Sequence, residues 1–258
     1  MMATSDEGDT DLSRRGACVL RGACRREQCA SCLAETLESL ERSQRSDAFA
    51  EIQEPSYRSD FKLPFSPSVE AVARLTLSGG VGRILVSVLG SDAELCELSA
   101  ITSSPGAASQ AIHSDGHWSE AAPLVVTVFL ALHDILDEAM GPTLHYPCTH
   151  TPQCFPGKRW LPPSDSRVAE RPPPAWYRLR AGDAMLMVST TWHCGGANVS
   201  QKTRTLLVMT FAQSTSQCAS APSSSSDDYY SIRPELRGRF RLRHLMDDAC
   251  EALAEAEP

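Results

Sequence analysis

The sequence predicts a mainly β protein with flanking helices, and two observations support this prediction. From residue 93 onward, short apolar stretches are bounded by Gly, Pro, Ser or Asn, which is typical of antiparallel strands. Before residue 93, apolar residues recur at helical spacing. The chain has 258 residues, of which 42% are hydrophobic and 22% are charged, and these are ordinary values for a globular protein with a substantial core.

The N-terminal third is predicted to be mainly helical after an irregular leader over residues 1–30. The leader is polar, mixes Gly, Ala and Cys, and shows no clear period. Leucines at helical spacing then predict a helix over residues 31–53. Two more short helices are predicted over residues 69–77 and 81–89, because a Gly-Gly pair divides the apolar pattern there.

The predicted β core covers about residues 93–213 and belongs to a single domain over residues 31–258. A Pro-rich connection over residues 152–174 is longer than most loops. We expect it to lie over the mouth of the core and to become ordered when substrate binds, rather than to form part of the core. A Ser-rich loop over residues 214–226 and a C-terminal helix over about residues 234–255 follow. The six predicted strands span residues 95–101, 124–132, 144–146, 177–179, 184–188 and 205–211.

Charge and hydropathy exclude several classes of function. The net charge of −8 argues against a surface that holds a nucleic-acid backbone, which needs concentrated Lys and Arg. The longest apolar run, over residues 123–132, is roughly half the length of a membrane-spanning helix. The N-terminus is acidic and lacks an apolar signal segment. We therefore expect a cytoplasmic protein that does not bind nucleic acid and does not span a membrane. Targeting to an organelle and the oligomeric state are left open.

The sequence contains ten cysteines, and we expect free thiols because no signal segment points to an oxidising compartment. Four of them, Cys18, Cys24, Cys29 and Cys32, have the spacing C-x5-C-x4-C-x2-C. This cluster contains one C-x2-C pair of the kind that binds zinc but lacks the second pair of a zinc site. Free thiols are therefore favoured, and a structural zinc site is the alternative.

Two residues in the segment QAIHSDGHW have the spacing of metal ligands. His113 and Asp115 are one residue apart, so in an extended strand both side chains point to the same face. His193 lies far downstream, in TWHCGGANVS. Two histidines and one carboxylate form the ligand set that holds Fe(II) and leaves positions open for a cosubstrate and oxygen. The triplet alone is a weak signal, because an isolated His is more often a hydrogen-bonded core residue.

An arginine follows the distal histidine. Ten residues separate His193 from Arg204, which opens the apolar strand RTLLVMTFA. A guanidinium at the mouth of a barrel can hold a carboxylate with two parallel hydrogen bonds. The alternative is a solvated arginine at the strand end that pairs with a carboxylate on the rim. The spacing favours the carboxylate-binding interpretation.

Three stretches resemble the phytanoyl-CoA dioxygenase family of Fe(II)- and 2-oxoglutarate-dependent oxygenases. They are AIHSDGHW, PLVVTVFLALHDILDEAMGPTLHYPCTHT and AGDAMLMVSTTWHCGGANVSQKTRTLLVMTFA, within residues 111–212. In that family a Gly-Asp turn leads to the distal histidine and then the arginine, and Gly182 and Asp183 fit that order. The resemblance implies a double-stranded β-helix, a jelly roll related to the cupins, with N-terminal helices packed against one sheet.

The resemblance also implies a site and a reaction. His113, Asp115 and His193 are the expected Fe(II) ligands, and Arg204 is expected to hold the C5 carboxylate of 2-oxoglutarate. The implied cofactors are Fe(II), 2-oxoglutarate and O2, with ascorbate as a further candidate. The implied reaction hydroxylates a C–H bond of a small organic or lipid-like substrate and releases succinate and CO2. Two alternatives stay open, a cupin-like metal enzyme that does not use 2-oxoglutarate and a catalytically inactive β-sandwich binding protein.

The chain departs from the family pattern at three positions. Phe129 stands where many relatives have Trp, and Cys148 stands where relatives have Gly. Gly195 stands where some relatives offer a Ser hydroxyl to the cosubstrate, so we expect one hydrogen bond to be missing or replaced by water. Asp115 is retained, and this disfavours halogenation in the superfamily because a halide needs the position of that carboxylate.

Four other histidines in this region are expected to lie on the surface or behind the ligands. His150, just before the Pro-rich segment, is the one that could face the mouth of the pocket. Trp118 and Trp192 flank the proposed ligands and are expected to pack around them, where apolar walls exclude water. The other three histidines are His117, His133 and His145.

Overall fold

The computed structural model describes residues 12–45, 57–171, 173–214, 236 and 239–246. Within these residues the protein is mainly β with flanking helices, as predicted. The strands are β1 (Ala17–Leu20), β2 (Arg58–Lys62), β3 (Glu94–Ser103), β4 (Val125–Ala131), β5 (Thr143–His145), β6 (Ala184–Val188), β7 (His193–Gly195) and β8 (Arg204–Ala212). The helices are α1 (Arg26–Arg45), α2 (Pro67–Leu77), α3 (Gly80–Leu89), α4 (Asp165–Ala169) and α5 (Leu242–Leu245).

Strand pairing places β8 inside the larger of two antiparallel sheets. The strand order of the large sheet is β1-β6-β4-β8-β3-β2. β8 therefore pairs with β3 on one side, where Arg204 lies opposite Ser103, and with β4 on the other. The small sheet pairs β5 with β7 and places Thr143 opposite Gly195. Residues of both sheets line one cavity.

Alternating side chains along the strands separate the main core from that cavity. In β8, Leu207, Met209 and Phe211 are buried in the cluster that includes the helices, whereas Leu206 and Val208 belong to a second cluster. Each fully buried aliphatic side chain stabilises the fold by roughly 1.5–3 kcal/mol. The helical members of the main cluster are Val69, Val72, Ala73, Leu77, Val81, Ile84, Leu85 and Leu89.

Helices α2 and α3 confirm the two short helices predicted in this region. Pro67 occupies the first turn of α2, where its missing N–H is not needed, and the Ser66 hydroxyl accepts a hydrogen bond from the Val69 N–H (3.4 Å). After the break, Gly82 approaches the end of α2 so closely that a Cβ would collide with the carbonyl oxygen of Leu77. The Gly-rich break thus lets the two helices pack tightly.

The irregular leader predicted over residues 1–30 is wrong from Leu12 onward. β1 pairs with β6 at the edge of the large sheet, and α1 already begins at Arg26. Cys18 and Leu20 are buried in the main core. The four residues of β1, ACVL, show no alternation of apolar and polar residues, so no strand was predicted there. Residues 1–11 lie outside the described residues.

A turn at Gly182 and Asp183 fastens this N-terminal segment to β6. The buried Asp183 carboxylate accepts hydrogen bonds from Arg21 Nη1 (2.8 Å), the Gly22 N–H (2.9 Å) and the Arg180 N–H (2.9 Å). Gly182 has a φ of +91°, and a Cβ there would collide with the backbone of the N-terminal segment. Both residues of the turn therefore have a structural reason to be Gly and Asp.

Most of the other predicted strands are confirmed. β3, β4, β5, β6 and β8 correspond to five of the six predictions. The strand predicted over residues 177–179 is wrong, because Leu179 makes an isolated bridge to Ile135 and no named strand forms there. β2 and β7 were not predicted, since β2 (RSDFK) is mostly polar and β7 (HCG) contains no apolar stretch.

The ends of two predicted elements fall outside the described residues. The helix predicted over residues 31–53 begins earlier, at Arg26, and its predicted end is not described. Of the C-terminal helix predicted over residues 234–255, the structure describes the short helix α5 and a few neighbouring residues. The Ser-rich loop over residues 214–226 is described at Ser214 alone.

Aromatic side chains anchor the Pro-rich segment over residues 152–174. Phe155 and Trp160 are buried in a cluster with Tyr146 and Trp192. The indole N–H of Trp160 also donates a hydrogen bond to a backbone carbonyl (2.9 Å). The expectation that this segment stays outside the core is therefore wrong for these residues, because their large apolar surfaces are removed from water. Its ordering on substrate binding stays a prediction.

The four N-terminal cysteines are buried free thiols. They lie in the main core, where the thiols of Cys24 and Cys29 share a hydrogen bond. Burial raises the pKa of the Cys32 thiol to about 11. Among the described residues, the group of side chains placed to hold a metal ion does not include any cysteine. The structure therefore favours free thiols over a zinc site.

No single helix in the described ranges is long and apolar enough to cross a membrane. α2 and α3 reach the required length and apolarity only as a pair, and they bend by 73° at the break between them. Their apolar side chains are buried in the main core.

Replacing Asp183 with alanine is expected to lower the free energy of unfolding by about 2–4 kcal/mol, because three donors would lose a buried, charged acceptor. Arg26→Ala is the control, since Arg26 forms an exposed ion pair with Asp134 (2.7 Å) and such pairs contribute at most about 1 kcal/mol. Urea denaturation of both variants and the parent measures the two losses. Equal losses would show that Asp183 does not fasten the N-terminal segment.

Candidate metal centre

Three side chains singled out by the sequence converge on one point. His113 and Asp115 lie on the segment between β3 and β4, and His193 opens β7. His113 Nε2 is 3.6 Å from Asp115 Oδ1, and His193 Nε2 is 3.5 Å from Asp115 Oδ2. In the described part of the chain, this is the group of His, Cys, Asp or Glu side chains whose ligand atoms all lie within 4.8 Å of one another. The three residues could therefore hold a metal ion.

Backbone pairing sets the positions of these residues. His113 and His193 exchange two hydrogen bonds, from the His113 N–H to the His193 carbonyl (2.9 Å) and from the His193 N–H to the His113 carbonyl (2.8 Å). The Asp115 N–H donates to the carbonyl of Ser189, just after β6 (2.9 Å). The segment that carries His113 and Asp115 is thus held to the ordered strands, although it is not itself a named strand.

A backbone carbonyl orients the ring of each histidine. His113 Nδ1 is 2.9 Å from the Ala111 carbonyl oxygen, and His193 Nδ1 is 2.9 Å from the Thr191 carbonyl oxygen. In a neutral ring the nitrogen that donates to a carbonyl carries the proton, so the lone pair of Nε2 is directed at Asp115. Three acceptor groups then face one another with no donor between them. A cation placed between these groups would stabilise the arrangement. Two imidazoles and one carboxylate are a donor set that fits Fe(II).

One side of this centre is closed and the other is open. The His193 side chain is 7% exposed, whereas the side chains of His113 and Asp115 are 40% and 44% exposed. Burial lowers the pKa of His193, and the Asp115 carboxylate offsets only part of this effect. The His193 ring therefore stays neutral, as metal binding requires. The open side leaves room for a ligand beside the metal position.

Arg204 is fully buried at the first residue of β8, with 1% of its surface exposed. Its Nη1–H donates to the Thr143 hydroxyl (3.4 Å), and its Nε–H has no hydrogen-bond partner among the described residues. Burial, and secondarily the charge of Arg58, lowers the pKa of Arg204 to about 9. The alternative of a solvated arginine on the rim is therefore wrong. A buried guanidinium whose described partner is a hydroxyl indicates a place for an anionic ligand.

A second arginine, which the sequence analysis missed, enters the cavity from β2. Arg58 lies opposite Ser103, which in turn lies opposite Arg204, so both arginines occupy one row across the large sheet. Arg58 Nη2 donates to two backbone carbonyls, one of which is that of Gly196 (2.9 and 3.0 Å). The polar sequence of β2 carries no motif that could have assigned Arg58 to the cavity.

Gly195 borders the space that the Arg58 guanidinium occupies. A Cβ at residue 195 would collide with Arg58 Nη1 and lie 2.8 Å from Gln110 Oε1. The Gly195 N–H donates to the same Gln110 oxygen (2.8 Å). The side chains of Arg58 and Gln110 therefore fill the space beside Gly195, where the sequence predicted either an absent hydroxyl group or a water molecule.

The three candidate ligands and both arginines line a single cavity of about 550 Å³. Ile101, Phe129 and Leu206 form an apolar part of its wall. Glu97 also lines it, and burial raises the pKa of this carboxyl. Phe129, a departure from the family pattern, thus contributes to pocket shape and not to the candidate metal centre. The described residues of the Pro-rich segment do not line the cavity.

The other histidines of the region do not line this cavity. His150 is buried, and its Nε2 lies 2.9 Å from the Ser13 carbonyl oxygen, so the expectation that it faces the mouth of the pocket is wrong. The His145 ring is buried against Tyr177 (5.0 Å between centroids), and burial lowers the pKa of His145 to about 4. His133 Nε2 accepts a hydrogen bond from a backbone N–H of β8 (2.8 Å). The contacts of these three histidines therefore hold the fold together, and none of the three rings faces the cavity.

A family model, that of phytanoyl-CoA dioxygenase, matches residues 12–206. The chain belongs to the phytanoyl-CoA dioxygenase family. The match confirms the resemblance found in the sequence, and it includes the three candidate ligands and Arg204. It also begins at Leu12, where the irregular leader was wrongly predicted. A search of curated protein sequences gives no significant match.

Solved structures share the fold of this phytanoyl-CoA dioxygenase family member. The epimerase SnoN, in complex with Fe3+, α-ketoglutarate and nogalamycin RO, is 18% identical, with a TM-score of 0.66 over 93% of this chain and 98% of that chain. AviO1 from Streptomyces viridochromogenes Tue57 is 17% identical, with a TM-score of 0.63 over 82% of this chain and 96% of that chain. HygX from Streptomyces hygroscopicus, with nickel, 2-oxoglutarate and hygromycin B bound, is 16% identical, with a TM-score of 0.59 over 81% and 87%. These likenesses and the family match confirm the predicted jelly-roll fold.

The variants His113→Ala, Asp115→Ala and His193→Ala are each expected to weaken Fe(II) binding by at least about tenfold, because each removes one of three protein ligands. The fold should persist, since the strands are held by their own pairing and core. Anaerobic calorimetry with Fe(II) measures binding, and circular dichroism checks the fold. His117→Ala, at an exposed histidine two residues after Asp115, is the control. A variant that binds Fe(II) as the parent does would remove that residue from the ligand set.

Proposed function

We propose that this chain is an Fe(II)- and 2-oxoglutarate-dependent dioxygenase that oxidises a C–H bond of a small organic or lipid-like substrate. One observation carries the proposal: the candidate metal centre lines the same cavity as Arg204, a buried guanidinium whose described side-chain partner is a hydroxyl. 2-Oxoglutarate has a metal-chelating 2-oxo acid at one end and a carboxylate at the other. It therefore matches both features of the cavity.

Nε2 of His113, Nε2 of His193 and an oxygen of Asp115 would hold the iron on one face. When bound, the iron supplies the oxidative chemistry that converts 2-oxoglutarate and O2 to succinate and CO2 and oxidises the substrate. These residues would hold the iron in a fixed position, because backbone carbonyls at 2.9 Å orient both imidazole rings. No side chain of the cavity has to act as a general base in this reaction.

Arg204 would bind the C5 carboxylate of 2-oxoglutarate through two parallel hydrogen bonds. Arg204 pairs with Ser103 of β3, and β4 joins the other side of β8 from Leu206 onward, so the backbone at the start of β8 is held relative to the sheet. Burial strengthens the interaction, since the attraction between opposite charges grows as water is removed. A cupin-like metal enzyme that does not use 2-oxoglutarate would have no use for this buried cation.

The apolar wall formed by Ile101, Phe129 and Leu206 would keep water away from the reacting groups. Water exclusion strengthens electrostatic contacts inside a site and limits side reactions of reactive species. The proposed substrate therefore meets a cavity that is apolar on one wall and charged at the positions of the iron and the cosubstrate.

Hydroxylation is the outcome that we propose for the substrate. Asp115 occupies the carboxylate position of the ligand set, which leaves no place for a halide at that position. SnoN is described as an epimerase, so the shared fold also serves a reaction that need not add oxygen to its product. Mass spectrometry of a product decides between the two, because hydroxylation adds one oxygen atom and epimerisation leaves the mass unchanged.

Adding 2-oxoglutarate to the Fe(II)-loaded protein without O2 is expected to produce a weak visible charge-transfer band, because a 2-oxo acid chelates iron through its C1 carboxylate and C2 oxygen. Absorbance spectroscopy during an anaerobic titration measures this band. Asp115→Ala is the matched variant and should show a reduced band. Saturation with Fe(II) and 2-oxoglutarate without any band in the parent would contradict the proposed function.

Arg204→Lys is expected to raise the 2-oxoglutarate concentration for half-maximal succinate formation about ten- to a hundredfold. An ammonium keeps the charge but cannot give two aligned hydrogen bonds, and hydrogen bonds to charged groups contribute roughly 1.5–3 kcal/mol. Fe(II) binding without cosubstrate should be unchanged, since Arg204 is not one of the candidate ligands. Titration of 2-oxoglutarate against succinate, with iron saturating, compares the parent, Arg204→Lys and Arg204→Ala. Equal half-saturation values in all three would remove Arg204 from the cosubstrate site.

A further inference from the structure

The two arginine side chains of the cavity end at neighbouring positions of the small sheet. Arg204 Nη1 donates to the Thr143 hydroxyl (3.4 Å), and Arg58 Nη1 lies against Gly195. Thr143 and Gly195 are direct cross-strand partners in the β5-β7 pair. The Cα atoms of such partners are about 4.5–5.5 Å apart. Two guanidinium groups that start on different strands of the large sheet therefore converge on one place in the small sheet.

We propose that Arg58 binds the distal carboxylate of the cosubstrate together with Arg204, and that Gly195 makes room for it. The inference rests on the proposed use of 2-oxoglutarate and adds to it a residue outside the family pattern. Arg58 and Arg204 flank Ser103 in one row of the sheet, so their Cα atoms are about 10 Å apart and their side chains leave the same face. Both side chains are long enough to reach a carboxylate between them.

Backbone contacts hold the Arg58 guanidinium in this position. Nη2 donates to the carbonyls of Ala108 (2.9 Å) and Gly196 (3.0 Å), which come from two different segments of the chain. These bonds fix one side of the planar group and direct Nη1 to the space beside Gly195. A guanidinium that is already oriented loses little freedom when an anion binds.

The charges of the two arginines favour an anion between them. Arg58 adds to the effect of burial in lowering the pKa of Arg204, which reports repulsion between the two cations. A carboxylate placed between them would add two attractive interactions that offset this repulsion. Charge-assisted hydrogen bonds of this kind are roughly twice as strong as neutral ones.

Gly195 and Arg58 depend on each other. A Cβ at residue 195 would collide with Arg58 Nη1, so a side chain there and the observed Arg58 position exclude each other. In some relatives a Ser hydroxyl at this position serves the cosubstrate. In this chain the same space is filled by a charged donor from β2, so the hydrogen bond that the sequence analysis expected to be missing is supplied by Arg58.

A cycle of variants tests this inference through binding, measured by anaerobic calorimetry of 2-oxoglutarate with the Fe(II)-loaded protein. Arg58→Ala is expected to weaken binding about ten- to a hundredfold. Gly195→Ser should also weaken binding in the parent, because it displaces Arg58. In the double variant, the serine should not weaken 2-oxoglutarate binding further. It should restore part of the affinity that Arg58→Ala loses. Lys62→Ala, which removes a cation from the same strand outside the cavity lining, is the control and should bind as the parent does.

A second ligand separates a lost contact from a damaged fold. 2-Oxopentanoate lacks the distal carboxylate, so its affinity should be the same for Arg58→Ala and the parent. Parent-like 2-oxoglutarate affinity in Arg58→Ala, additive losses in the double variant, or an equal loss for 2-oxopentanoate would each overturn the inference. If Arg204→Ala weakens 2-oxoglutarate binding and Arg58→Ala does not, only this inference fails. If the parent does not bind 2-oxoglutarate, the proposed function fails with it.

Discussion

The buried guanidinium of Arg204 is the electrostatic constraint on which the proposed site depends. It opens the central strand β8 with 1% of its surface exposed, and its described side-chain partner is the Thr143 hydroxyl. Removing a cation from water costs several kcal/mol unless an opposite charge compensates it. A second guanidinium, that of Arg58, lies in the same cavity and adds to this cost. We therefore propose that the arginine side of the cavity binds an anion, and that the two-histidine, one-carboxylate group in its wall selects an anion that also chelates a metal.

Ordinary strand pairing produces this arrangement. The alternation of side chains along β8 sends Leu207, Met209 and Phe211 into the main core and leaves Arg204 and Leu206 for the cavity. Pairing between the two ligand segments brings the histidines together, and a backbone carbonyl of each segment orients the ring of its own histidine. The functional groups are thus positioned by backbone hydrogen bonds of the same kind as those that hold the sheets. β1 forms one edge of the large sheet.

Part of the fold and most of the candidate site could be predicted from the sequence. Spacing is visible in one dimension, so the helical period of α2 and α3 and the order His113, Asp115, His193 and Arg204 could be recognised. The structure brings those three ligand candidates together and buries the arginine. Arg58 could not be found, because β2 is short and polar and its role depends on a glycine far away in the chain. Short strands such as β1, and the aromatic anchors of the Pro-rich segment, depend on long-range packing that leaves no local period.

A crystal structure of the protein with Fe(II) and 2-oxoglutarate, grown without O2, would show which residues hold the iron and the distal carboxylate. We expect iron on His113, Asp115 and His193, with the 2-oxo acid end of the cosubstrate on the iron and its distal carboxylate hydrogen-bonded to Arg204. Iron on other residues, or a distal carboxylate that points away from Arg204, would contradict this expectation.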